Sequence, residues 1–116
     1  MFSVTKRMEI CGAHMLKLPY KSPCCESHGH NWIVEITIKG QKLTASHMLV
    51  DFSHIKQEVH GKLDHKLFND VVPGNPTAEN IAYWISERVQ AICPKDIWVD
   101  RVSVQESEGN IAVWER

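Results

Sequence analysis

The stretch that most constrains this chain runs from His28 to near Gly40 and reads His-Gly-His-Asn-Trp-Ile-Val-Glu-Ile-Thr-Ile-Lys-Gly. Successive side chains of an extended strand point to opposite faces, so His28, His30, Trp32, Val34, Ile36 and Ile38 share one face. Asn31, Glu35, Thr37 and Lys39 take the other. This alternation requires a strand with one buried face and places two histidines at the end of the buried stripe. Two imidazoles on one side of a strand, with only a glycine between them, can grip a single metal ion. An isolated pair of this kind is more often a surface or hydrogen-bonded feature, so its meaning depends on a third partner.

His14 supplies that partner. From Phe2 to His14 the even positions are mostly apolar (Val4, Met8, Ile10), and His14 falls on their face at the end of the run. Leu16 to Ser27, with Pro19 and Pro23, reads as an irregular connection that returns the chain antiparallel to the first strand. Three histidines then meet on one sheet face. Catalytic zinc sites use three protein ligands and leave a fourth position open. Cys24, four residues before His28, is close enough for its thiol to fold back over such a site.

Beyond Gly40 the pattern changes period. Asp51 is placed to cap a helix carrying Phe52, Ile55, Val59 and Leu63 on one face, followed by an Asp64-His65 pair at its exit. Val71 to Pro76 reads as a loop, and Thr77 as the cap of a second helix to about Ile92, with Ile81, Ile85, Val89 and Ile92 as its buried stripe. Trp98 to Glu106 alternates again, with Glu106 on the face of Val102 and Val104, and Ile111 to Trp114 closes the chain after a turn at Glu108-Gly109-Asn110. A carboxylate at the end of an inward row needs a cationic or N–H-rich partner unless the sheet edge is solvated.

These elements predict one α+β domain over residues 1–116: strand, strand, helix, helix, strand, strand, with an antiparallel four-stranded sheet covered by two helices on one face. Its unpaired edges favour closure into a barrel between subunits. Hydrophobic residues make up 43% of the 116, and the net charge of −1 lacks the basic surplus of a nucleic-acid binder. The amino-terminal residues show neither signal-peptide nor membrane-span character, so a cytoplasmic protein is expected. Of the four cysteines, Cys24 and Cys25 are adjacent, which argues against a disulfide framework and for reactive or metal-proximal thiols.

Together, Ala13-His14, Cys24 with His28-Gly29-His30-Asn31, Val50-Asp51-Phe52, Leu63-Asp64-His65, Pro76-Thr77 with Glu79-Asn80, and Glu106 resemble the 6-pyruvoyl-tetrahydropterin synthase and 6-carboxytetrahydropterin synthase family. The resemblance covers nearly the whole chain. It implies a tunnelling-fold unit assembling into barrels, commonly a hexamer built as a dimer of trimers, with active sites between subunits. It further implies Zn2+ held by His14, His28 and His30, Cys24 as catalytic base, and Asp64 and His65 as a proton relay. Glu106 and Thr77 become pterin-binding residues. The implied reaction converts 7,8-dihydroneopterin triphosphate to 6-carboxy-5,6,7,8-tetrahydropterin in queuosine and 7-deazaguanine synthesis.

Alternatives stay open within the family, namely triphosphate elimination to a 6-pyruvoyl product or folate-type cleavage to 6-hydroxymethyl-dihydropterin. Glu26, two residues before His28, keeps the cleavage open because some relatives use a glutamate near this position, and Cys25 leaves a one-residue choice of thiol. Ile10 replaces a more usual aromatic residue, and Trp32 a tyrosine. From another class, the chain could be a non-catalytic zinc-binding module in which Cys24 or Cys25 closes the site as fourth ligand.

Overall fold

The computed structural model describes all 116 residues. Strand β1 (Phe2–His14) and strand β2 (His28–Gly40) pair antiparallel along their whole length, from Phe2 opposite Gly40 to His14 opposite His28. The inward rows are the even positions of both strands: Met8 and Ile10 on β1, and Trp32, Val34, Ile36 and Ile38 on β2, all buried. The outward rows are polar, as in the exposed Thr5 to Thr37 hydroxyl contact of 3.1 Å.

Two helices cover the inward face. Helix α1 (Phe52–Leu63) is capped by the Asp51 side chain, which accepts from Ser53 N–H, and buries Ile55, Val59 and Leu63. Phe52 differs from expectation: it is 47% exposed, because the first turn of the helix overhangs the start of β1 and the stripe begins only at Ile55. Helix α2 (Ala78–Gln90) buries Ile81, Ile85 and Val89, and ends two residues before Ile92. Each fully buried aliphatic side chain contributes about 1.5–3 kcal/mol relative to exposure, so these two stripes are what fasten the helices to the sheet.

The sheet has five strands rather than four, in the order β3-β1-β2-β4-β5. The added strand, β3 (Lys66–Leu67), runs parallel to β1, with Gly12 opposite Lys66 and Ala13 opposite Leu67. Its cause is local. His65 turns the chain in the left-handed region at φ 58° and donates its N–H to Cys11 O at 2.6 Å, which lays the next two residues alongside β1. Two residues are too few to show a period.

Strands β4 (Ile97–Ser107) and β5 (Asn110–Glu115) complete the sheet, β4 pairing antiparallel with β2 and β5 antiparallel with β4. β4 is bulged twice. Thr37 faces Arg101 while Ile38 faces Val99, leaving Asp100 unmatched. The alternation read from Trp98 is therefore interrupted: Ile97 and Val99 are the buried residues before the bulge, and Val102 and Val104 those after it. Trp98 packs instead against the Arg116 guanidinium, 4.9 Å from the ring centre. The second bulge leaves Glu106 unmatched, because Gln105 faces Ile111 while Ser107 faces Asn110. No helix of the chain is long and apolar enough to cross a membrane.

Candidate metal centre

His14 ends β1, and His28 begins β2 directly opposite it, so the hairpin register alone brings their rings to 4.4 Å between centroids. His30 follows two residues later on the same face, at 5.4 Å from His14 and 4.8 Å from His28. Glu106 reaches the same point from β4, on the inward row of Val102 and Val104. One donor atom from each of His14, His28, His30 and Glu106 lies within 4.8 Å of the others.

Two of the rings are oriented by backbone carbonyls. His14, fully buried, places Nδ1 2.8 Å from Pro76 O, and His28 places Nδ1 2.8 Å from Glu26 O. A carbonyl only accepts, so each Nδ1 donates, and in the neutral ring Nε2 then presents its lone pair. This outer support is the usual arrangement behind a metal-binding imidazole.

The inner side is short of hydrogens. His14 Nε2 and His30 Nε2 are buried without a hydrogen-bond partner, although Glu106 Oε1 lies 2.9 Å and 3.3 Å from them. The carboxylate is close but off the directions in which ring N–H groups would point. An unprotonated nitrogen and a carboxylate oxygen repel at this distance unless a cation lies between them, so the donor set fits a bound metal ion. Burial lowers the pKa of His30 below its ordinary 6.5, helped by His28 and His14 and opposed by Glu106. The lowered value keeps the imidazole neutral and able to ligate. Three imidazole nitrogens suit a borderline ion such as zinc, and the Glu106 carboxylate lies beside them.

The site rests on an aromatic floor. Trp32 donates its indole N–H to Gly12 O at 3.1 Å and stands edge-on to His14 and His30 at 4.8 Å and 5.2 Å. Phe68 backs Trp32 at 5.1 Å and lies over Gly12, where a Cβ would overlap the Phe68 ring. Glycine is required there by close approach.

The other residues singled out from the sequence lie around this cluster. Cys24 is half-buried in a short 3-10 turn (Pro23–Cys25), and Cys25 is exposed with its thiol directed at Tyr20 O, 3.9 Å away. Neither belongs to the cluster; Glu106, not a thiol, is its fourth member, so a site closed by Cys24 or Cys25 is not what the fold builds. Asp64 caps the end of α1, accepts Cys11 N–H at Oδ1 (3.0 Å), and turns Oδ2 toward His65 and His60, at 3.6 Å and 3.7 Å. His60 was not anticipated, although its place four residues before Asp64 on the helix is a readable signal. His65 is 74% exposed and shares with His30 the lining of an open groove of about 540 Å3. Thr77 uses its hydroxyl to cap α2, accepting Asn80 N–H at 3.1 Å. The carbonyls of Pro76 and Glu26 were also missed, since backbone acceptors leave no trace in residue type.

An α+β unit with three histidines and a carboxylate converging at one end of a mostly antiparallel sheet defines the class: a candidate metalloprotein. The chain belongs to the 6-pyruvoyl tetrahydropterin synthase family, which it matches over residues 3–116. It is 38% identical over 97 residues to the 6-carboxy-5,6,7,8-tetrahydropterin synthase of Bacillus subtilis, covering 78% of this chain and 66% of that protein. It is equally, 38%, identical over 84 residues to the dihydroneopterin monophosphate aldolase of Pyrococcus furiosus, covering 70% and 71%. Human 6-pyruvoyl tetrahydrobiopterin synthase is 32% identical over 110 residues, covering 85% and 73%. The fold superposes on the 6-pyruvoyl tetrahydropterin synthase of Caenorhabditis elegans with a TM-score of 0.77 at 21% identity, over 99% of this chain and 95% of that one.

Proposed function

We propose that this protein is a zinc-dependent lyase that converts 7,8-dihydroneopterin triphosphate to 6-carboxy-5,6,7,8-tetrahydropterin, with loss of acetaldehyde and triphosphate. The observation that carries the reading is the convergence of His14, His28, His30 and Glu106 with two buried, unpartnered Nε2 atoms. The likeness to the Bacillus 6-carboxy-5,6,7,8-tetrahydropterin synthase supports the product.

In this reading His14, His28 and His30 would hold zinc. A bound zinc ion supplies Lewis-acid polarisation of a side-chain oxygen, which acidifies the neighbouring C–H groups. Cys24 takes a proton from the substrate side chain as general base. Glu106 accepts from the amino-pyrimidine edge of the pterin and fixes the ring beside the cluster. Asp64 steadies His65 for a proton transfer at the opposite side of the substrate.

His65, exposed and outside the cluster, is read as serving a site completed by a neighbouring subunit. The free edge of β5 presents Ile111 and Val113, 56% and 43% exposed, and the free edge of β1 begins with exposed Phe2. Apolar residues on unpaired edges favour strand pairing between subunits, and a hexamer built as a dimer of trimers accommodates both edges.

A second reading, side-chain cleavage to a 6-hydroxymethyl pterin, draws on the equal identity to the Pyrococcus aldolase and on Glu26, two residues before His28. Incubating the purified protein with 7,8-dihydroneopterin triphosphate and identifying products by mass separates the two. The 6-carboxy product with acetaldehyde supports the first reading, a 6-hydroxymethyl product the second, and a 6-pyruvoyl product a triphosphate-eliminating synthase. Unchanged triphosphate overturns the first and third readings, and unchanged 7,8-dihydroneopterin monophosphate in a parallel incubation overturns the second.

A further inference from the structure

Beyond His14, where β1 ends, side chains take the place of a neighbouring strand along Met15, Leu16 and Lys17. Asn69 Oδ1 accepts Met15 N–H at 2.8 Å while its Nδ2 donates to Met15 O at 2.9 Å. Asn75 repeats the pairing on Lys17, with both bonds at 2.9 Å. A primary amide offers one donor and one acceptor side by side, which is what an adjacent strand residue offers in a ladder. Leu16 lies between the two clamped residues, and its N–H donates to Cys24 O at 2.8 Å.

Three consecutive residues thus join two otherwise separate loops. On one side is the loop containing Asn75 and Pro76, whose carbonyl orients His14. That loop is itself held from α2: Asn80 Nδ2 donates to Pro73 O at 2.8 Å and to Asn75 O at 3.0 Å. On the other side is the turn of Cys24, followed by Glu26, whose carbonyl orients His28.

We infer that Asn69 and Asn75 are positioning residues that act through Met15–Lys17 to set both the metal-binding pose of His14 and the placement of Cys24 against the cluster. The inference rests on the metal-centre reading of His14 and on the role proposed for Cys24. Aspartate at either position keeps the bond from the backbone N–H but loses the donor and sets a carboxylate oxygen against the carbonyl. Alanine removes both bonds. Loss of such outer support costs about 10–100-fold in metal affinity in other sites.

The test uses the full chain. Zinc affinity is measured by competition with a chromophoric chelator, and the rate of Cys24 alkylation by peptide mass spectrometry, for wild type, Asn69→Ala, Asn75→Ala and Asn75→Asp, with melting temperatures recorded. The expected result is zinc binding weakened about 10–100-fold in the alanine variants, a Cys24 alkylation rate changed several-fold, and Asn75→Asp in between. If an alanine variant does not fold, Asn75→Asp decides by the same two readouts. Zinc affinity and Cys24 alkylation equal to wild type, with only the melting temperature lowered, would overturn the inference and leave the asparagines as loop staples. Wild-type protein that binds no zinc overturns the metal-centre reading instead, and Cys24 alkylation then still decides whether the asparagines place the thiol.

Discussion

His14 Nδ1 and the carbonyl oxygen of Pro76, 62 residues apart in sequence, lie 2.8 Å from each other in the buried floor of the site. The contact fixes which nitrogen of His14 carries the proton and leaves Nε2 for the cluster. Nitrogen-15 NMR of the zinc-loaded protein should therefore show His14 and His28 protonated at Nδ1 and coordinated at Nε2. The opposite tautomer at His14 would contradict the orientation assigned to it.

The close approach of Gly12 to Phe68 gives a second prediction. Gly12→Ala should destabilise the fold by about 1–3 kcal/mol, the usual cost of overpacking. Phe68→Leu should recover part of that loss, because the added methyl then meets a smaller side chain. Strictly additive effects in urea unfolding would show that the two residues do not compete for the same space.

Much of this site was legible in the sequence because it depends on parity and register. His14, His28 and His30 share the inward face of two adjacent strands, and the hairpin register brings the strand ends together. Glu106 was readable as an inward carboxylate, although the bulge at Asp100 had already switched which residues of β4 face the core. What the sequence hid has no period. Strand β3 is two residues long, and Asn69 and Asn75 pair side chain to backbone across 54 and 58 residues. Phe52 fits a helical stripe by spacing yet lies where the helix overhangs the sheet, a fact of tertiary placement.

The thiols separate by substitution. Cys24→Ala should lower turnover by roughly two to four orders of magnitude while zinc stays bound, the ordinary contribution of a general base. Cys25→Ala, whose thiol faces Tyr20 O, should change turnover far less. A dead Cys25→Ala with a nearly normal Cys24→Ala would shift the role by one residue. Loss of turnover confined to Glu26→Gln would favour the glutamate-based cleavage.

The metal-free protein should lose stability in acid. Burial holds the His30 pKa below its ordinary 6.5, so the unfolded chain takes up the proton first as pH falls. Stability is then complete above about pH 6.5, declines as pH drops from there toward the lowered folded value, and is flat with respect to this group below it. Urea unfolding of zinc-free protein between pH 8 and pH 5 should show the decline, and His30→Gln should flatten it. An unchanged slope in that variant would assign the decline to other groups.

The most direct measurement is zinc content per chain, in wild type and in His14→Ala, His28→Ala and His30→Ala, after exhaustive dialysis against metal-free buffer and readdition of zinc. The expected result is about one zinc per wild-type chain and strong depletion in each histidine variant, with the fold retained by circular dichroism. Zinc-free wild type, or full occupancy in all three variants, would contradict it.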